Sequence, residues 1–214
     1  MPVVVHHLEN SRSTRVLFLL EELGVDYTIQ TYERDPKTRL APASLREVHP
    51  LGKAPVVQLD DGTVIAESGA IIEHFVKGSK LAPDAKDEAL HSSLLHFAEG
   101  TLMVHMMARL YLTRVLPKDD PKTKPTLQAM VGNNIDRELK YLEDILGDRD
   151  FFVGDHLTGA DVILAYSIDG AVSAQPGKWA KLESWRERIQ SRPAWKRAVE
   201  KGGPIDFGMF QPKL

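Results

Sequence analysis

The sequence predicts two domains, an α/β unit followed by an all-helical one. Strand-like runs stop at Ala66, and beyond the linker-like stretch Gly78-Ser79-Lys80-Leu81-Ala82-Pro83-Asp84 only helical periodicity recurs. At 214 residues the chain suits one large domain or two modest ones sharing an interface.

Val3-Val4-Val5-His6-His7 is a β-branched run with the character of a buried strand. From Arg15 to Leu23 apolar residues follow at helical spacing, and Gly24 supplies the stop. Asp26 to Thr31 alternates as a second strand. Short joins make this a βαβ unit, which implies a parallel pair with a right-handed crossover. After a proline-containing loop, Pro55 to Leu59 and Thr63 to Ala66 read as a hairpin around Asp60-Asp61-Gly62. A helix opens near Ser68, with Ile71, Ile72, Phe75 and Val76 on one face. The order βαβ, loop helix, ββα is that of a thioredoxin-like domain, assigned to residues 1–79. Helical runs over 87–116, 126–146, 160–172, 179–190 and 194–200 make up the second domain, residues 87–214.

Bulk properties narrow the function. A net charge of −3 offers no footprint for nucleic acid. No apolar stretch is long enough to span a bilayer. Met1 to His7 lacks the basic lead and long apolar core of a signal peptide, so a cytoplasmic location is expected. The sequence has no cysteine. That excludes disulfides, thiolate zinc sites and catalysis by the protein's own thiol, but not a thiol carried by a ligand. The eight histidines hold no i,i+4 pair. His6 and His7 alternate faces of a strand, and solvated or capping roles are expected, with no metal.

Three segments carry chemistry. In Gly52-Lys53-Ala54-Pro55, Pro55 opens a strand and restricts Ala54 to extended backbone. Either a trans proline at a strand edge or a cis proline freeing Ala54 for a peptide-like ligand fits. Glu67-Ser68 stands where a strand meets a helix. Ser68 can serve as a cap, and the helix start favours an anion while Glu67 favours an ammonium, which together suit an α-amino acid head group. Leu8 to Leu17 forms a hydroxyl-bearing turn, with Asn10, Ser11 and Ser13, at the start of the first helix.

In order and spacing these segments resemble the glutathione transferase family. Phe152 to Asp161 resembles that family's capping motif, with Thr158 and Asp161 exchanging bonds and Leu157 and Val162 as a staple. Ile189 to Ala198 resembles its closing helix pair. The resemblance spans about residues 3 to 200. The first turn looks like the serine-type, theta-like branch of bacteria and fungi, since no tyrosine stands there. It implies that Lys53 meets the glycine end of glutathione, Ala54 beside Pro55 its cysteinyl backbone, and Glu67 and Ser68 its γ-glutamyl end. It also implies a homodimer.

A free thiol has a pKa of about 8.5 and is only a few per cent thiolate at neutral pH. Lowering it by about two units takes roughly 2.7 kcal/mol. A hydroxyl bond to an anion supplies about 1.5–3 kcal/mol, and a helix N-terminus about 0.3–1 kcal/mol. The two suffice without a histidine base. Ser11 is the expected donor to the sulfur, with Asn10 and Ser13 as rivals. The thiolate then attacks an electrophilic carbon. Met103, Met106, Met107, Leu110 and Tyr111 are candidates for a second-substrate pocket or for core. Phe207, Met209 and Phe210 lie in a tail that folds over that pocket or packs elsewhere. Lys37 and Arg39 are open candidates for carboxylate binding, and Asp119 to Lys122 reads as a solvated loop. Two other readings stand beside conjugation: a glutathione-dependent peroxidase, disulfide reductase or isomerase, and a non-catalytic binding protein on the same fold.

Overall fold

The computed structural model describes residues 2–115 and 123–210. The expected loop at Asp119 to Lys122 lies outside them, as do the side chains of Met209 and Phe210. Strand β1 (Val3–Leu8), helix α1 (Thr14–Leu23) and strand β2 (Tyr27–Tyr32) form the expected βαβ unit. A single turn of helix, α2 (Leu45–Val48), precedes strands β3 (Val56–Gln58) and β4 (Val64–Ala66) and helix α3 (Ser68–Val76). The sheet order is β2-β1-β3-β4, with β1 parallel to β2 and antiparallel to β3. The β3–β4 turn closes as its composition dictates: Asp61 Oδ1 accepts from the Thr63 N–H at 2.8 Å and Gly62 adopts φ 88°. This is the thioredoxin-like layout.

Among the described residues the remaining regular elements are helical: α4 (Glu88–Phe97), α5 (Met103–Val115), α6 (Thr123–Leu146), α7 (Gly159–Ser173), α8 (Ala180–Ser191) and α9 (Pro193–Gly202). The run expected to be one helix over 87–116 is broken by a π-helical segment at Ala98–Leu102. Periodicity misses such a break, because one extra residue per turn rotates the apolar stripe without interrupting it.

Helix α7 is the axis of the helical half. Every residue from Gly159 to Val172 is buried, so it is apolar nearly all round, as a central helix must be. Its start is held as the sequence requires. Asp161 Oδ2 accepts from the Thr158 N–H at 3.0 Å and its hydroxyl at 3.2 Å, and Leu157 and Val162 are both buried. The two halves are joined through α1. Val16 to Leu20 of α1 have no exposed surface. Phe18 meets the edge of Trp195 of α9 at 5.3 Å, and Glu22 binds Arg192.

Candidate active site

Sheet register assembles the site. Because His6 pairs with Val56 antiparallel, continuing the ladder sets Pro55 beside His7 and Ala54 beside Leu8. Because Val56 pairs with Ala66, Glu67 and Ser68 come level with Pro55 and Ala54. With strands roughly 4.8 Å apart, the β1–α1 turn, the Ala54–Pro55 corner and the start of α3 converge at one end of the sheet. Three segments distant in sequence thus share one rim.

Within the β1–α1 turn the three rival residues do different things. Asn10, at φ 47°, is tied to the tail: its Nδ2 donates to the Asp206 carbonyl at 3.3 Å and its Oδ1 accepts from the Asp206 N–H at 3.0 Å. Ser13 is fully buried, its Oγ 2.8 Å from His7 Nδ1 and 3.3 Å from the Leu8 carbonyl. Ser11 keeps 7% exposure, with its Oγ 2.7 Å from Ser13 Oγ and accepting from the Ser13 N–H at 3.2 Å. Of the two serines, only Ser11 retains surface. Arg34 shapes the turn from outside, donating to the carbonyls of Glu9 and Asn10.

At the second segment the Ala54–Pro55 bond is cis rather than trans. Lys53 is exposed. At the third, Glu67 rather than Ser68 occupies the cap position of α3, with φ 75° and ψ 123°, and makes no side-chain capping bond. Ser68 is the first helical residue, buried at 3% exposure. The expectation that Ser68 caps this helix is therefore corrected. A non-glycine residue held at positive φ costs about 1–3 kcal/mol and persists where the surroundings enforce it. The conformation turns Glu67 out of the strand and leaves the first N–H groups of α3 for an outside acceptor. Lys37 and Arg39 belong to an exposed loop: the Lys37 backbone N–H donates to Asp35 Oδ1 at 2.9 Å, and Arg39 approaches Glu9 at 3.7 Å.

The wall toward the helical half is built on charge. Arg15, with no exposed side-chain surface, and Arg12 both bind Glu99 in the π-helical segment, and the Arg15 guanidinium lies 5.4 Å above the Tyr166 ring. Burial raises the proton affinity of Glu99, but the two guanidiniums outweigh it and hold the carboxyl below the usual glutamate range. Glu99→Ala is expected to cost about 2–3 kcal/mol. It leaves Arg15 buried without its anion, though the partly exposed pocket lets water replace some of the loss. The folded pKa of Glu99 lies below the unfolded one, so the pair's contribution is complete above the ordinary glutamate range. It is lost as pH falls through the depressed folded value. Urea denaturation of both proteins at neutral and acid pH checks this: the difference between them should shrink on acidification.

The pocket candidates divide. Met103, Met106 and Leu110 are buried in the core, Met107 is partly buried, and Tyr111 is 57% exposed. Phe207 packs edge-on to Tyr166 at 5.2 Å. A Cβ on Gly170 would come within 2.8 Å of Met106 Cε and 2.9 Å of Phe207 Cδ1. The tail thus lies on α7 and returns to the first turn through Asp206. A separate cleft of about 280 Å³ opens between α5, α6 and the end of α7, lined by Arg109, Asn133, Asp136 and Gln175 among others. No residue of the sheet-end rim borders it.

The family models described as the N-terminal and C-terminal domains of glutathione S-transferase match residues 11–77 and 107–201. Glutathione S-transferase 3 of Schizosaccharomyces pombe is 32% identical over 216 residues, covering 93% of this chain and 87% of its own. The chain belongs to the glutathione S-transferase family. Glutathione S-transferase 1 of Saccharomyces cerevisiae is 28% identical, covering 94% of this chain and 96% of its own. A glutathione S-transferase structure from Actinobacillus pleuropneumoniae superposes with a TM-score of 0.82 at 26% identity, over 98% of this chain and all of that one. A glutathione transferase homologue from Lodderomyces elongisporus, solved with two glutathione molecules per subunit, shares the fold at a TM-score of 0.75 and 19% identity, over 94% of this chain and 98% of that one.

In this glutathione S-transferase family member, three features escaped the sequence reading. His7 is wholly buried behind Ser13 rather than solvated. Arg15 and Glu99 form a link between the halves, and Asn10 binds the tail. A histidine beside a β-branched run is the only signal for the first. The others pair residues 84 to 196 positions apart, a distance over which local pattern carries nothing.

Proposed function

We propose that this protein conjugates glutathione to a small apolar electrophile, with Ser11 as the hydrogen-bond donor to the sulfur. On this reading Lys53 receives the glycine carboxylate, and the Ala54 backbone beside Pro55 pairs with the cysteinyl unit. Glu67 receives the α-ammonium, and Ser68 with the first N–H groups of α3 receives the γ-glutamyl carboxylate. Residues 1–79 bind the tripeptide. The helical domain, residues 87–214, supplies the second-substrate surface facing the turn, with Met107 and Tyr111 its accessible members. The functional unit is a cytoplasmic homodimer of the serine type.

One observation supports the reading: strand register brings the Lys53–Pro55 segment, the start of α3 and the turn holding Ser11 to one end of the sheet, with Lys53 and Glu67 exposed and Ser11 keeping 7% exposure. Among the described residues Lys53 and Glu67 have no ionic or hydrogen-bonded side-chain partner, so both charges are available to a ligand. A charge-assisted bond is worth about 1.5–3 kcal/mol, and water screens the exposed Glu67. Glu67→Gln is therefore expected to raise KM for glutathione about tenfold with kcat nearly unchanged. Calorimetric titration with glutathione, followed by assays on aryl halides, hydroperoxides and mixed disulfides, tests the function. Turnover of aryl halides supports conjugation; turnover of peroxides or disulfides alone replaces it.

A further inference from the structure

Behind Ser11 runs a line of buried groups that conjugation as described leaves unused. His7 has no exposed surface, and each of its ring nitrogens meets one group. Nε2 lies 2.8 Å from the carbonyl oxygen of Gly202, at the end of α9, and Nδ1 lies 2.8 Å from Ser13 Oγ. Ser13 Oγ is in turn 2.7 Å from Ser11 Oγ. The packing is close: a Cβ on Gly202 would stand 3.0 Å from His7 Cε1 and 2.6 Å from Leu17 Cδ1.

Hydrogen-bond logic orders this line. A carbonyl only accepts, so Nε2 carries a hydrogen and the neutral ring presents a lone pair at Nδ1. Ser13 must donate to it, and the same proton cannot serve the longer contact with the Leu8 carbonyl. Ser13 Oγ then accepts from Ser11, and Ser11 turns a lone pair outward. So arranged, Ser11 receives a proton rather than giving one.

We infer that His7, acting through Ser13 and Ser11, accepts the thiol proton of bound glutathione, an inference that rests on the reading of the site given above. The S–H bond breaks and its proton passes to Ser11 Oγ; Ser11 gives its own proton to Ser13, and Ser13 gives its own to Nδ1. The sulfur keeps the electron pair as thiolate, and His7 becomes an imidazolium donating to Gly202 and Ser13. Every hydroxyl has then reversed without rotating, and Ser11 donates to the thiolate. After the sulfur forms its new bond, the proton returns along the same line to solvent. His7 is thus a positioning residue that sets which way Ser11 points.

Several charged side chains of the neighbouring elements are engaged elsewhere. Arg12 of the β1–α1 turn and Arg15 of α1 bind Glu99, and on α1 Glu21 binds Arg197 and Lys201 of α9 and Glu22 binds Arg192. On β1 itself, His6 meets the Tyr32 hydroxyl of β2 at 3.0 Å. The ring's proton affinity is lowered by burial and partly restored by the Gly202 carbonyl, which favours the neutral ring in the absence of an anion at Ser11.

Nitrogen NMR of ring-labelled histidine in the wild-type protein tests this without a substitution. With glutathione, at a pH where ultraviolet absorbance shows the bound thiolate, both His7 nitrogens should be protonated. With S-methylglutathione, which has no thiol proton, Nδ1 should keep its lone pair. A neutral His7 beside a formed thiolate overturns the inference alone; failure of glutathione to bind overturns the site reading and this inference with it. His7→Asn and Ser13→Ala should each raise the bound thiol's pKa by about one unit with S-methylglutathione affinity retained. The double variant should do no more than either single one, and additive shifts would contradict a shared line.

Discussion

Ser11→Ala is expected to raise the pKa of the bound glutathione thiol by about 1–2 units and to lower kcat/KM at neutral pH roughly 10- to 100-fold. The size follows from a hydroxyl bond to an anion, about 1.5–3 kcal/mol, at about 1.36 kcal/mol per pKa unit. The sign follows from which state gains: the bond favours thiolate, so losing it favours thiol. The difference should close as pH rises, because solution then ionises the sulfur unaided. Affinity for S-methylglutathione should hold, since Ser11 leaves the peptide backbone of the ligand untouched. An unchanged pH profile would pass the role to a neighbour, and neither is well placed: Asn10 is bound to Asp206 and Ser13 is buried on His7.

Asp161→Ala is expected to cost about 4 kcal/mol of folding stability, among the larger single-residue losses. The carboxyl group is fully buried and receives four hydrogen bonds. Oδ1 accepts from the Phe152 N–H at 3.0 Å and the Trp185 indole at 3.2 Å, and Oδ2 accepts from the two Thr158 donors. Burial raises the proton affinity of the group, and these donors oppose it. Alanine would strand at least three of the donors in a dry interior, each costing about 1–3 kcal/mol, partly relieved by relaxation. The damage is central, since α7 packs on α1, α3, α4 and α8. For a chain of this size the melting temperature should fall by roughly 8–16 °C. A loss under about 1 kcal/mol in urea denaturation would mean that water replaces the carboxyl group.

The cap of α7 was legible in the sequence because its capping box and staple lie between Leu157 and Val162. The βαβ unit and the hairpin were legible for the same reason, each being a short pattern closed by a local turn. The three site segments were legible as types of residue in a familiar order, but their meeting depends on strand register, which composition does not supply. What stayed hidden was long-range. His7 looked like a residue on one face of a strand, and its role depends on Gly202, 195 positions away. Met103 and Met106 satisfy a pocket or a core equally well in sequence, and only the packing of α7 decides for core. Ser68 looked like a cap; the positive φ of Glu67 moves the cap back by one residue, which no propensity would forecast for a glutamate.

A crystal structure of the protein with glutathione tests the central claim most directly. The sulfur is expected within hydrogen-bonding distance of Ser11 Oγ, with the tripeptide's γ-glutamyl end at Glu67 and Ser68. A tripeptide bound elsewhere, or one whose sulfur faces away from Ser11, would contradict the account.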